Sequence, residues 1–102
     1  GVHTWGAAVA LATLIARAPE IVQDRHVVEL GGGTGLPSLV AAAFARSVVM
    51  TDRREELLDN FRANIVTNTP TLTAAKRALH PRNDGGGDPL KHTAAHCNTL
   101  QH

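Results

Sequence analysis

The stretch Val27-Val28-Glu29-Leu30-Gly31-Gly32-Gly33-Thr34-Gly35-Leu36-Pro37-Ser38-Leu39 constrains the fold more than any other part of the chain. Val27, Val28 and Leu30 read as a parallel strand covered on both faces, because an apolar run there replaces the alternation of a half-exposed strand. Gly31, Gly33 and Gly35 recur at every second position, which permits positive φ and lets a ligand approach the backbone without meeting a Cβ. Leu36 opens a helix, with Pro37 in its first turn, where a missing N–H costs nothing. A strand, a glycine loop and a helix start in succession form the arrangement that receives an anionic or nucleotide-like ligand in open α/β sheets.

Spacing separates the candidate ligands. The dinucleotide fingerprint G-x-G-x-x-G fails, since a start at Gly31 puts Leu36 at the third glycine and a start at Gly33 puts Ser38 there. A P-loop fails because no Gly-Lys-Ser/Thr follows the glycines. Downstream, Val48-Val49-Met50-Thr51 reads as a second apolar strand, so the pattern is β-α-β with a parallel pair. Asp52 closes that strand about 20 residues beyond the glycine loop, where a carboxylate can accept hydrogen bonds from both hydroxyls of a ribose. Asp52-Arg53-Arg54-Glu55 also has the D-x-x-E form of a capping box, which satisfies orphan helix N–H groups with no ligand at all. Both readings of Asp52 stay open.

The pattern E-x-G-x-G-x-G over Glu29 to Gly35 resembles the first motif of the class I, seven-strand S-adenosylmethionine (SAM) methyltransferases. Together with Trp5-Gly6-Ala7-Ala8 upstream and Thr51-Asp52 downstream, the chain resembles the lysine-methyltransferase-like family. The Leu36-Pro37-Ser38-Leu39 continuation is most similar to its fungal branch, nicotinamide N-methyltransferase-like proteins and methyltransferases of elongation factor 1-alpha lysines and N-terminus. The similarity runs from about Gly1 to about Asn68. It implies an α/β, Rossmann-like, three-layer fold present only as its N-terminal part, a helix followed by β-α-β-α. It implies SAM as cofactor, held by Trp5, Gly31, Gly32, Gly33, Gly35 and Asp52, with the Glu29 carboxylate ordering the glycine loop. The implied reaction is N-methylation of a protein lysine or N-terminal amine, with a translation elongation factor among the implied protein substrates. No catalytic base is named by any residue of the chain.

Trp5 and Glu29 each have a plainer reading. A tryptophan covers the edge of a small core, and a carboxylate at a strand end already meets solvent. Two other functional classes stand beside the methyltransferase. One is a family member without turnover that binds SAM or a partner; the other is a different nucleotide-binding α/β protein, which the failed dinucleotide spacing disfavours.

At 102 residues the chain is one domain at most, and a class I methyltransferase core takes roughly twice as many, so a piece of a larger fold is expected. Aromatic residues make up only 3% of a chain that is 43% hydrophobic, which predicts a thin core of alanine, valine and leucine. A net charge of +1 gives no electrostatic reason for nucleic acid or an anionic membrane as partner. The single cysteine, Cys97, excludes an internal disulfide framework and agrees with a reducing, cytoplasmic setting. The alanine-rich run Ala7 to Ala18 lacks a preceding basic region and is too short to span a bilayer, which takes about 20 apolar residues.

Helical spacing of Ala8, Leu11, Leu14, Ile15 and Ala18 predicts a helix over Trp5 to Ala18, stopped by Pro19, and a polar connector leads from there to Arg25. A further helix is predicted over about Pro37 to Phe44, and another over Glu55 to about Asn68, with Leu58, Phe61 and Ile65 on one face and Thr69-Pro70 ending it. Residues 1–69 are thus read as the SAM-binding part. Residues 70–102 are read as an irregular tail, since Thr71 to Leu79 shows no clear apolar face and Pro81 through Pro89 is turn-rich, and no third strand is recognisable. His92 and His96 are four apart, a spacing metal ligands use, but no adjacent Glu and no cysteine pair accompanies them, so no metal site is assigned.

Overall fold

The computed structural model describes residues 6–79 and 92–97. The chain runs α1 (Gly6–Arg17), a single 3-10 turn (Pro19–Ile21), β1 (His26–Glu29), α2 (Leu36–Ala42), β2 (Ser47–Asp52), α3 (Glu55–Leu79) and β3 (Thr93–Cys97). The three strands form one parallel sheet in the order β1-β2-β3, with Val28 beside Val49 and Val49 beside Ala94.

Parallel neighbours need crossovers, and right-handed crossovers taken in one direction put their helices on one side of the sheet. Burial along β2 agrees: Val48 and Met50 are fully buried, while Ser47, Val49 and Thr51 between them are only partly so. Val48 lies in one apolar cluster with Ile15 of α1, Ala41 and Ala42 of α2 and Leu72 of α3; Met50 lies in a second with Leu58 and Phe61 of α3. All three helices therefore cover the Val48–Met50 face. The described residues supply a sheet and one helical layer, two of the three layers expected.

This one-sidedness corrects the reading of β1 as a strand buried on both faces. β1 is an edge strand, and Val28 and Leu30 are 61% and 76% exposed. Only Val27, on the helix side, packs against the core. α1 departs from its expected face for a related reason. Ala12 and Ile15 are its buried residues, whereas Leu11 and Leu14 are exposed, because α1 docks mainly on α2 and the sheet offers it little area.

Pro70 does not end the last helix. α3 runs 25 residues with Pro70 inside it, so the helix crosses the expected boundary at residue 69, and Thr71 to Leu79 is helical. Proline removes one N–H from the ladder and crowds the carbonyl four residues back. That carbonyl belongs to Val66, which is exposed, so water can take the free acceptor. The reward lies beyond the proline, where Leu72 and Lys76 are buried and Ala75 packs against the same cluster as Val48. Residues 93–97 are likewise a strand and not irregular tail, joined to β2 in register. No helix among the described residues is long and apolar enough to cross a membrane.

Candidate functional site

The site is built where β1 gives way to the glycine loop, at the carboxyl end of the sheet. Gly31, Gly33 and Gly35 all have positive φ, at +62°, +58° and +78°. Their surroundings differ. A Cβ on Gly31 or Gly33 would meet nothing within 4 Å, whereas one on Gly35 would stand 2.2 Å from Cδ2 of the buried Phe61. A Cβ on Gly32 would stand 2.3 Å from Cγ of Met50. The loop thus alternates between glycines that let it sink onto the core, Gly32 and Gly35, and glycines that leave an open cradle, Gly31 and Gly33. Of the residues expected to meet a cofactor, Gly32 and Gly35 face inward, since β2 and α3 press against the loop from below.

Two hydrogen bonds tie the loop to β2, one closes the loop on itself and one joins the strands at its base. The Gly32 N–H donates to the Thr51 carbonyl at 2.9 Å, and Gly35 N–H to the Gly32 carbonyl at 2.9 Å. The Gly33 N–H donates to Oδ2 of Asp52 at 3.1 Å. The Thr51 hydroxyl donates to the Glu29 carbonyl at 2.9 Å. Asp52 also accepts the Arg54 N–H on Oδ1 at 3.0 Å, a local turn two residues long that leads into α3. Its carboxylate therefore touches both the glycine loop and the approach to the helix. α3 starts at Glu55, whose carboxylate accepts from Arg62. Each Asp52 oxygen keeps a lone pair beyond these backbone bonds, enough to accept one hydroxyl apiece.

Glu29 points to the helix side, where its Oε1 accepts the Ser38 hydroxyl at 2.6 Å. Ser38 is buried in the first turn of α2. Burial pushes the Glu29 carboxyl above the ordinary glutamate value, and the Ser38 hydroxyl and backbone N–H pull part of the way back. Glu29 thus ties β1 to α2 beneath the loop and stands behind the cradle. Ser38 and Thr51 were not legible as site residues, although a buried acid on β1 implies a donor one turn into the helix that follows.

Trp5 lies outside the described residues, as do His80 and His102. His92 is exposed ahead of β3, and the side chains of His96 and Cys97 fall outside the described set. Among the described residues no group of His, Cys, Asp and Glu side chains could hold a metal ion.

The arrangement sets an open, Cβ-free backbone at Gly31 and Gly33 beside a carboxylate whose two oxygens each already accept one backbone N–H. Comparison with known proteins agrees with the shape and the motifs. The family model described as "Lysine methyltransferase" matches residues 1–84, past Asn68 and into the segment beyond Pro70. "Protein N-terminal and lysine N-methyltransferase EFM7" of Cryptococcus neoformans is 47% identical over 70 residues, 67% of this chain and 23% of that protein. The Aspergillus fumigatus protein of the same description is 34% identical over 95 residues, 90% of this chain and 36% of that one. The chain therefore spans about a quarter to a third of the length of these curated relatives. Among solved structures, a dimethyladenosine transferase from Plasmodium falciparum superposes with a TM-score of 0.53 at 15% identity, over 86% of this chain and 24% of that one, which is a likeness of fold. With the match covering residues 1–84 of 102, the chain belongs to the lysine methyltransferase family.

Proposed function

We propose that the chain is the cofactor-holding part of a SAM-dependent methyltransferase that acts on protein amines, a lysine side chain or an N-terminal amine. The observation that carries this reading is the Asp52 carboxylate bonded to the Gly33 N–H beside the two open glycines. In this reading Asp52 accepts the ribose hydroxyls, Gly31 and Gly33 let the methionine end pass close to the backbone, and Glu29 braces the loop through Ser38. Trp5, Gly32 and Gly35 complete the set that the family resemblance implies. When bound, SAM supplies an electrophilic methyl group on a sulfonium. The chain's own contribution is to hold it in line with a neutral amine, so that positioning lowers the barrier. The two relatives' names, which specify N-terminal and lysine methylation, support amines as acceptors; a translation elongation factor, implied by the resemblance of the Leu36-Pro37-Ser38-Leu39 segment, is the first protein to assay. A cytoplasmic setting goes with this substrate class.

The second reading is a SAM-binding or interaction module without turnover, in which the Asp52 and glycine contacts hold the cofactor and nothing is transferred. Equilibrium binding of SAM and of NAD to the full chain tests the cofactor assignment. SAM should bind more tightly than NAD, and Asp52→Ala should weaken SAM about tenfold or more through loss of charge-assisted hydrogen bonds. Tighter NAD binding, or unchanged SAM affinity in Asp52→Ala, overturns the reading. Methyl transfer from radiolabelled SAM to cell extract then separates the two readings of activity.

A further inference from the structure

We infer that Thr51 is a positioning residue, the latch that sets the glycine loop in its ligand-ready shape. This deepens the cofactor site proposed above and rests on that reading for its effect on SAM. The β1–β2 ladder ends with Glu29 beside Met50, and the chain then departs through Gly31 at φ +62°. Thr51, the next residue on β2, holds both sides of that departure. Its hydroxyl donates to the Glu29 carbonyl at 2.9 Å, and its own carbonyl takes the Gly32 N–H at 2.9 Å.

Two anchors on one residue, before and after Gly31, fix where the loop leaves the strand. Glycines cannot do this themselves, since their backbone is the least restricted of any residue. Asp52, adjacent to Thr51, then meets the Gly33 N–H at 3.1 Å only if the loop is already pinned at Gly32. The latch also shields the cradle from the core: with Gly32 drawn onto Met50, Gly31 and Gly33 keep their open side outward. Thr51 is only partly buried and belongs to neither apolar cluster, so its hydroxyl serves the loop and not the packing of the core.

Thr51→Val removes the hydroxyl and keeps the β-branched shape that suits a strand; Thr51→Ser restores the hydroxyl. Amide hydrogen exchange of the full chain, followed at Gly32 and Gly33 by NMR, reads the latch without any cofactor. Thr51→Val should speed exchange at these two amides about fivefold, the size of one hydrogen bond, with the thermal midpoint held, and Thr51→Ser should return it to the parent rate. SAM affinity should fall by about the same factor in Thr51→Val and recover in Thr51→Ser. Unchanged exchange at Gly32 and Gly33 in Thr51→Val overturns the inference, and so does a lowered midpoint that Thr51→Ser does not repair. If the parent chain takes up no SAM while Thr51→Val still loosens the two amides, the latch stands and the cofactor reading falls.

Discussion

Gly33 and Gly35 share a left-handed backbone and differ in what surrounds them, so the same substitution should do two different things. Gly35→Ala forces a methyl group into the ring of Phe61 at a strained φ, and should cost about 3 kcal/mol, read as a lower urea midpoint. Gly33→Ala meets open space and should cost about 1 kcal/mol for its φ alone, yet it fills the cradle and should abolish SAM binding. Glu29 supplies a pH test. Burial raises its carboxyl in the fold, so the folded protein binds that proton more tightly than the unfolded chain does. Stability should therefore fall as pH rises from the ordinary glutamate value of 4.5 through the raised one. Glu29→Gln, whose amide oxygen can still accept from Ser38, should flatten that slope in a series of denaturation curves. A melting profile that keeps its slope in Glu29→Gln assigns the dependence to another group.

Elements were legible where one local signal acted alone. The glycine loop, the position of Asp52 at the end of β2 and the Leu58–Phe61 face of α3 could be read from turn chemistry, spacing and helical period, whereas the role of Asp52 carried two competing signals. Leu30 and Val28 misled because an apolar run states a preference for burial and not whether a second layer is there to provide it. Pro70 misled because its local cost, about 3 kcal/mol in a helix interior, is set against the burial of Leu72, which only the folded arrangement reveals. The Asn68 amide and the Thr69 hydroxyl, donating to the carbonyls of Asn64 and Ile65, bind the turn just before the proline. Pro70 is exposed, so Pro70→Ala leaves no hole and restores a donor to Val66. It should stabilise the chain by about 1 kcal/mol or more in urea denaturation. Leu72→Ala should cost about 2–4 kcal/mol by the same measurement, since Leu72 carries α3 past the proline onto the core.

For the molecule as a whole, a sheet dressed on one side leaves Val28 and Leu30 in water, with Val9, Leu11 and Leu14 of α1 also exposed. The full chain in isolation should bind a hydrophobic dye such as ANS and elute from a sizing column at a mass that grows with concentration. Dye-free, concentration-independent elution would show that these side chains find cover within the chain. The open edge has another consequence, because Gly31 and Gly33 follow β1, which among the described residues has no outer neighbour. If the cradle holds SAM as proposed, a backbone added along β1 would lie next to the loop, and filling the cradle and closing the sheet would then be coupled equilibria. Each must favour the other by an equal free energy, a reciprocity through which the small molecule acts as glue for the protein and the protein's completion as a lock on the small molecule.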